Sequence, residues 1–204
     1  GLTPAAAYAL RSALCIGLLA WLRPWRWYAA IQGRHVAPAL LVGVAVFALW
    51  VVGESAWLSR WPEAQDFYVR WAVRPFGELR PPLESTPYAP SACGWPLALV
   101  RMLGSGLVIA VIEEFFWRGF VYRWMLGLDF TKVDPGRFAA LPFLLVAIVF
   151  AAEHMEWFAG LLTGILYGWL FLRTRDIWAT ALAHAVTNLL LGAYVLATSS
   201  YQFW

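Results

Sequence analysis

Residues 111–120 read VIEEFFWRGF, two adjacent carboxylates and an arginine set inside a run that is otherwise apolar. A charge at the centre of a membrane helix costs roughly 2.5–3.5 kcal/mol on insertion scales, so Glu113, Glu114 and Arg118 need partners or a purpose. Working outward, the flanking residues stay apolar for about the 20 positions that a hydrocarbon core of about 30 Å requires. This stretch therefore reads as a transmembrane helix carrying chemistry, and the remaining chain as its surroundings.

Composition supports that reading. Of 204 residues, 62% are hydrophobic and 13% charged, whereas a soluble domain is nearer half apolar and a quarter charged. Fourteen Trp and 16 Gly suit interfacial aromatic belts and close helix packing. The net charge of +3 is spread over short loops, which excludes a nucleic-acid footprint and leaves membrane lipids as the expected surroundings. Cys15 and Cys93 have neither metal-ligand spacing nor a disulfide pattern. No initiator Met or signal peptide opens the sequence, so further helices can precede Gly1 in the natural protein.

Hydropathy divides the chain into about six spans near 4–22, 36–58, 94–126, 138–154, 156–173 and 176–198. The expected architecture is an all-α polytopic transmembrane bundle, a single integral membrane domain over 1–204 with a motif core at 94–198. Arg23, Arg26 and Arg34 with Trp25, Trp27 and Tyr28 make the first loop an interfacial anchor. The long polar loop, 59–92, has two halves. In the first, Pro62 suits a first helical turn, Asp66 and Arg70 stand four apart, and Phe67 and Trp71 repeat that spacing, which predicts one short helix on the bilayer surface. The second, PFGELRPPLESTPYAP, is too rich in proline for regular structure and suits a loop or lid. The basic residues of the first, third and fifth loops put those loops on the cytoplasmic side. In the fifth span Gly160, Gly164 and Gly168 recur every four residues, a face that admits a close helix neighbour.

The polar residues at membrane depth carry the functional reading. Glu114 and Arg118 stand i,i+4 in the favourable order for an ion pair. Glu113 is turned about 100° away, with Phe116 and Trp117 where a basic partner would be needed, so one carboxylate is paired and the other left over. A desolvated, unpaired carboxylate suits a general base; the alternative is that both acids join Arg118 in a network that only fixes packing. His154 closes the fourth span one turn after Phe150, and His184 and Asn188 share one face of the last. Three helices each presenting polar groups inward favour a functional site over three separate structural accidents. An H-E-x-x-H zinc site is absent, and Asp129, Asp134 and Asp176 fall in loops. Ser105 as a nucleophile lies about two turns from Glu113 in a small-residue stretch better explained by packing. A glutamate, two histidines and an amide remain, a set able to activate water and stabilise an oxyanion. At 1.5 Å per residue, however, Glu113, His184 and His154 would lie roughly 20, 12 and 25 Å from the cytoplasmic ends of their spans, which calls for tilt or a break near Pro142.

EEFFWR, FAAEH and HAVTN, in this order and on membrane spans, resemble the EExxxR, FxxxH and HxxxN motifs of the CAAX protease and bacteriocin-processing family of intramembrane endopeptidases, which includes the type II CAAX prenyl endopeptidases. The wording around them is similar to the branch encoded near bacterial exosortase systems. The resemblance implies an integral protein of a bacterial inner membrane that hydrolyses a peptide bond in a peptide or a lipidated, membrane-anchored protein. By the same resemblance Glu113, assisted by His154, activates water, His184 and Asn188 stabilise the oxyanion, and Glu114 with Arg118 and Phe150 supports the site. Family members are often labelled metalloproteases. Glu113, His154 and His184 could hold zinc or work without it, and the resemblance is read here without a tightly bound catalytic metal. A second class of function is a non-catalytic immunity or assembly factor that keeps the motifs. A transporter or haem protein ranks below both, because no inverted repeat is visible. The family's frequent eight helices exceed the six spans counted here.

Overall fold

The computed structural model describes residues 1–53, 57–74, 76–77 and 83–204. Seven principal helices follow in order: α1 (Pro4–Leu22), α2 (Val36–Val52), α3 (Pro62–Trp71), α4 (Trp95–Leu126), α5 (Ala140–Ala152), α6 (Trp157–Thr174) and α7 (Ile177–Thr198). There is no strand among the described residues. Four helices, α1, α4, α7 and α2 with its leading turn, are long and apolar enough to cross a membrane, and α5 is a shorter apolar helix. The fold is thus the all-α polytopic bundle expected, with about six spans and one short amphipathic helix, α3.

Helix boundaries follow from local chemistry. Thr3 caps α1 through its side chain and Pro4 supplies the fixed φ of the first turn. Asp176 caps α7 by accepting from the backbone N–H of Trp178 and Ala179. α3 begins at Pro62 and carries the expected Asp66–Arg70 pair at 2.8 Å. α2 ends at Val52 rather than at 58. The lid suggested for the proline-rich segment falls partly outside the described residues, which resume at Leu83 and form a helical turn over Pro90–Cys93.

α7 lies at the centre. Half of its most apolar window is buried, against 17–28% for α1, α2 and α4, because it packs on α2 on one side and on α4 and α6 on others. Ala39, Ala179 and Ala183 are fully buried where α2 crosses α7. α5 and α6 form a hairpin whose axes approach closely along the glycine stripe. A Cβ at Gly164 would stand 3.0 Å from the Ala147 Cα, and one at Gly160 3.2 Å from the Ala151 Cα. The small-xxx-small reading therefore describes a backbone contact within this hairpin.

Two features differ from expectation. The first loop does more than anchor: Tyr28 packs edge-on against Phe115 of α4 at 5.0 Å, and buried His35 bonds Asp176 at 2.9 Å. Trp27 remains exposed. Further, α4 is not a uniform α-helix. Gly104–Ile109 and Phe115–Val121 are π-helical, and they bracket the α-helical Ala110–Glu114 that carries both glutamates. π-turns of this kind recur at functional sites.

Candidate active site

Glu114 and Arg118 occur four apart on α4 and meet as counted, Arg118 Nη1 to Glu114 Oε1 at 2.9 Å, with both residues at most 1% exposed. Burial at this level obliges the guanidinium to find more than one partner. It donates to the Gly164 carbonyl at 3.2 Å and lies 4.6 Å from the centre of the Phe150 ring. Gly164 exposes that carbonyl on the α5–α6 hairpin, so the stripe that packs the hairpin also feeds the charge pair. Phe150 has a second duty, because its carbonyl accepts from His154 Nδ1 at 2.8 Å.

The sequence left Glu113 as the unpaired acid, and its Oε2 is buried with no hydrogen-bond partner among the described residues. Across from it stands His184 Nε2, 3.9 Å away, while Nδ1 of the same ring contacts Glu114 Oε1 at 2.9 Å. His184 thus spans the two glutamates, a link that counting along α4 could not reveal. Glu114 serves Arg118 and His184 through the same oxygen.

These bonds determine the histidine tautomers. Phe150 O can only accept, and the Glu114 carboxylate is paired to Arg118, so His154 and His184 both carry their proton on Nδ1. In the neutral ring each therefore offers an Nε2 lone pair. His184 backed by a carboxylate has the arrangement that fixes the orientation and tautomer of an imidazole. Asn188 donates through Nδ2 to the Ser105 carbonyl at 3.0 Å, which fixes the amide beside the π-helical turn and leaves its second N–H uncommitted there.

Glu113, His154, His184 and Asn188 line one cavity of about 200 Å³, so the residues of the three motifs come together. The depth conflict between Glu113 and His154 disappears without a break at Pro142. α5 starts at Ala140, places Pro142 in its first turn and ends at Ala152, and His154 lies in the turn to α6. Thirteen residues of helix set that turn about 20 Å deep, level with Glu113 thirteen residues before Leu126.

Arg74, just beyond α3, secures the turn that carries His154. Its guanidinium donates to the carbonyls of Ala152 and His154, and its own N–H donates to Met155 O at 2.8 Å. The Trp157 indole N–H donates to Trp71 O at 2.7 Å. Sequence reasoning did not find this clamp, because its partners are backbone atoms about 80 positions away. Tyr167, missed as well, packs 5.0 Å from the His184 ring and donates to Thr187 Oγ1 at 2.7 Å. Thr187 donates in turn to Gly43 O at 2.8 Å. The i,i+4 pair Thr163 and Tyr167, beside the glycine stripe, was a legible polar signal. Trp50, whose ring lies 5.2 Å from His154 and whose N–H donates to Thr163, had none.

A metal centre does not assemble from these groups. No set of three His, Cys, Asp or Glu side chains among the described residues is placed to hold an ion. Glu113, His154 and His184 are therefore not arranged as a ligand set.

Residues 95–190 match the model of a family described as Rce1-like, type II CAAX prenyl endopeptidase Rce1-like. That segment contains every motif position from Glu113 to Asn188. Comparison with curated proteins and with solved structures finds no match.

Proposed function

We infer, from the match of residues 95–190 to the model of the Rce1-like type II CAAX prenyl endopeptidase family, that this integral membrane protein is an endopeptidase that cuts a peptide bond at membrane depth. The observation that carries the reading is the 3.9 Å gap between Glu113 Oε2 and His184 Nε2 at the cavity wall. It is too long for a direct hydrogen bond and suits one water in contact with both atoms. Both are acceptors, so that water gives its two hydrogens to them and turns a lone pair towards the substrate.

In the proposed reaction the water oxygen adds to the scissile carbonyl carbon while Glu113 removes a proton. That proton passes from Glu113 by way of His184 Nε2 to the leaving amine as the C–N bond breaks, and the tetrahedral carbon collapses to the carboxyl product. The free N–H of Asn188 faces the developing oxyanion. His154 acts as an acceptor from the opposite wall, with Nδ1 occupied by Phe150 O. The earlier assignment is thereby shifted: base duty falls on Glu113 with His184, and oxyanion contact on Asn188 first. The substrate class is a prenylated CAAX-type or otherwise membrane-anchored protein, and the host membrane a bacterial inner membrane.

The test uses purified protein in nanodiscs and an internally quenched peptide bearing a farnesyl-cysteine four residues from its C-terminus. Glu113→Gln lowers kcat/KM at least about a hundredfold, the lower range for a lost general base, with thermal stability retained. Cleavage at the wild-type rate by that variant refutes the mechanism, whereas no cleavage by the wild type favours the non-catalytic immunity or assembly reading.

A further inference from the structure

We infer that Arg101 binds the free C-terminal carboxylate of the substrate, so that the enzyme selects its cleavage site by distance from the chain end. Arg101, Ser105, Ile109 and Glu113, four apart on α4, all line the catalytic cavity, as do His184 and Asn188 on α7. The cavity is thus a groove along two helices. Its reacting groups stand at one end and Arg101 at the other, twelve residues or about 18 Å along α4 from Glu113.

Arg101 is held but not neutralised. Its Cζ lies 4.5 Å from the Tyr8 ring centre and 5.1 Å from that of Tyr88, so α1 and the segment before α4 both supply aromatic faces. The two rings themselves meet edge-on at 6.0 Å. Ring faces stabilise a guanidinium and fix its plane without using its N–H donors. No carboxylate pairs with Arg101 among the described residues, and its Nε is buried without a hydrogen-bond partner. Arg101 itself is half-buried; the two buried arginines among the described residues make hydrogen bonds to protein acceptors, Arg118 to Glu114 and Gly164, Arg123 to Thr131 and Val133. A fixed, unpaired fork in a substrate groove fits a planar carboxylate, which it can bind through two parallel bonds. The three extended residues beyond the scissile bond of a CAAX-type end span about 10–11 Å, and the arginine side chain covers the rest of the distance to Glu113. The fragment bound at Arg101 is then the amine product of hydrolysis, and its exit follows release of one carboxylate.

This inference rests on the peptidase reading, and the test separates the two. The farnesylated peptide and its C-terminally amidated twin are compared for cleavage by the wild type, and for binding to the Glu113→Gln protein by microscale thermophoresis. The expected wild-type preference for the acid is at least tenfold in kcat/KM, as for a lost charge-assisted contact. Arg101→Gln brings the acid-to-amide ratio to within about twofold of one, and Arg101→Lys retains part of the preference. Equal cleavage of acid and amide by the wild type overturns the inference and leaves the peptidase standing. Acid-selective binding that depends on Arg101, without cleavage of either peptide, supports the inference and removes the peptidase reading. Absence of binding to both peptides overturns it, as does an Arg101-dependent preference for phosphatidylglycerol nanodiscs with no acid-over-amide selectivity, which would assign the arginine to lipid phosphate.

Discussion

Replacing Arg118 by alanine tests the energetic core of the site against an internal control. Two ion pairs in this protein share the same i,i+4 spacing and nearly the same length, Asp66–Arg70 at 2.8 Å and Glu114–Arg118 at 2.9 Å. Their side chains differ in exposure, 45% for both members of the first and at most 2% for the second. Arg70→Ala removes an exposed pair worth about 0.3–0.5 kcal/mol. Arg118→Ala strands the Glu114 carboxylate, frees the Gly164 carbonyl and removes the cation over Phe150, a loss of about 3–5 kcal/mol for a broken buried pair. At roughly 2–4 °C per kcal/mol for a chain of this size, the melting temperature falls by about 6–20 °C, against no more than about 2 °C for Arg70→Ala. The assay is thermal unfolding in one detergent followed by size-exclusion chromatography. The double variant Glu114→Gln, Arg118→Met removes both charges and recovers most of the lost stability, yet leaves His184 without its carboxylate and the enzyme inactive. Equal shifts for Arg70→Ala and Arg118→Ala would refute the reasoning, as would a double variant no more stable than Arg118→Ala.

Three further outcomes follow from the geometry. Arg74→Ala releases the turn of His154, so amide exchange over residues 153–158 quickens and kcat falls about tenfold while the melting temperature changes by only a few degrees; unchanged exchange would show that the clamp is idle. Gly164→Val forces a side chain against the Ala147 backbone and costs at least about 1–3 kcal/mol, read from the same unfolding assay, whereas Gly17→Val, with open space around it, is neutral. Asn188→Leu keeps the volume but removes the donor, lowering kcat about a hundredfold with KM little changed; a pure KM effect would assign Asn188 to substrate binding.

The spans were legible because each is a continuous apolar run between loop residues, and α1, α4 and α7 start and stop within a residue of where hydropathy puts them. The pairing of Glu114 with Arg118 was legible for a similar reason: it depends on spacing along one helix. The link from His184 to Glu114 was not, since it joins positions 70 apart and depends on how α7 crosses α4. The conflict in depth between Glu113 and His154 arose from counting His154 as part of a span, when a helix of only thirteen residues leaves it in the turn beyond. Arg101 gave no signal because an arginine near a helix end is ordinary; its meaning lies in two ring partners and no carboxylate partner among the described residues.

The two π-helical segments of α4 have a consequence for how its sequence can change. Each π-turn accommodates one residue more per bonded turn than an α-turn, so it absorbs a surplus residue locally while the helix on either side keeps its facing. Deleting one residue within 104–109 converts that turn to α-helix and leaves Glu113 directed at His184. Deleting one within 110–114 rotates everything before it by about 100° relative to Arg118 and turns the Arg101, Ser105, Ile109 stripe towards lipid. Length variation among sequences of this type is therefore expected to gather in the two π-turns, where α4 holds spare residues, and to be excluded from the five-residue α-helical piece between them.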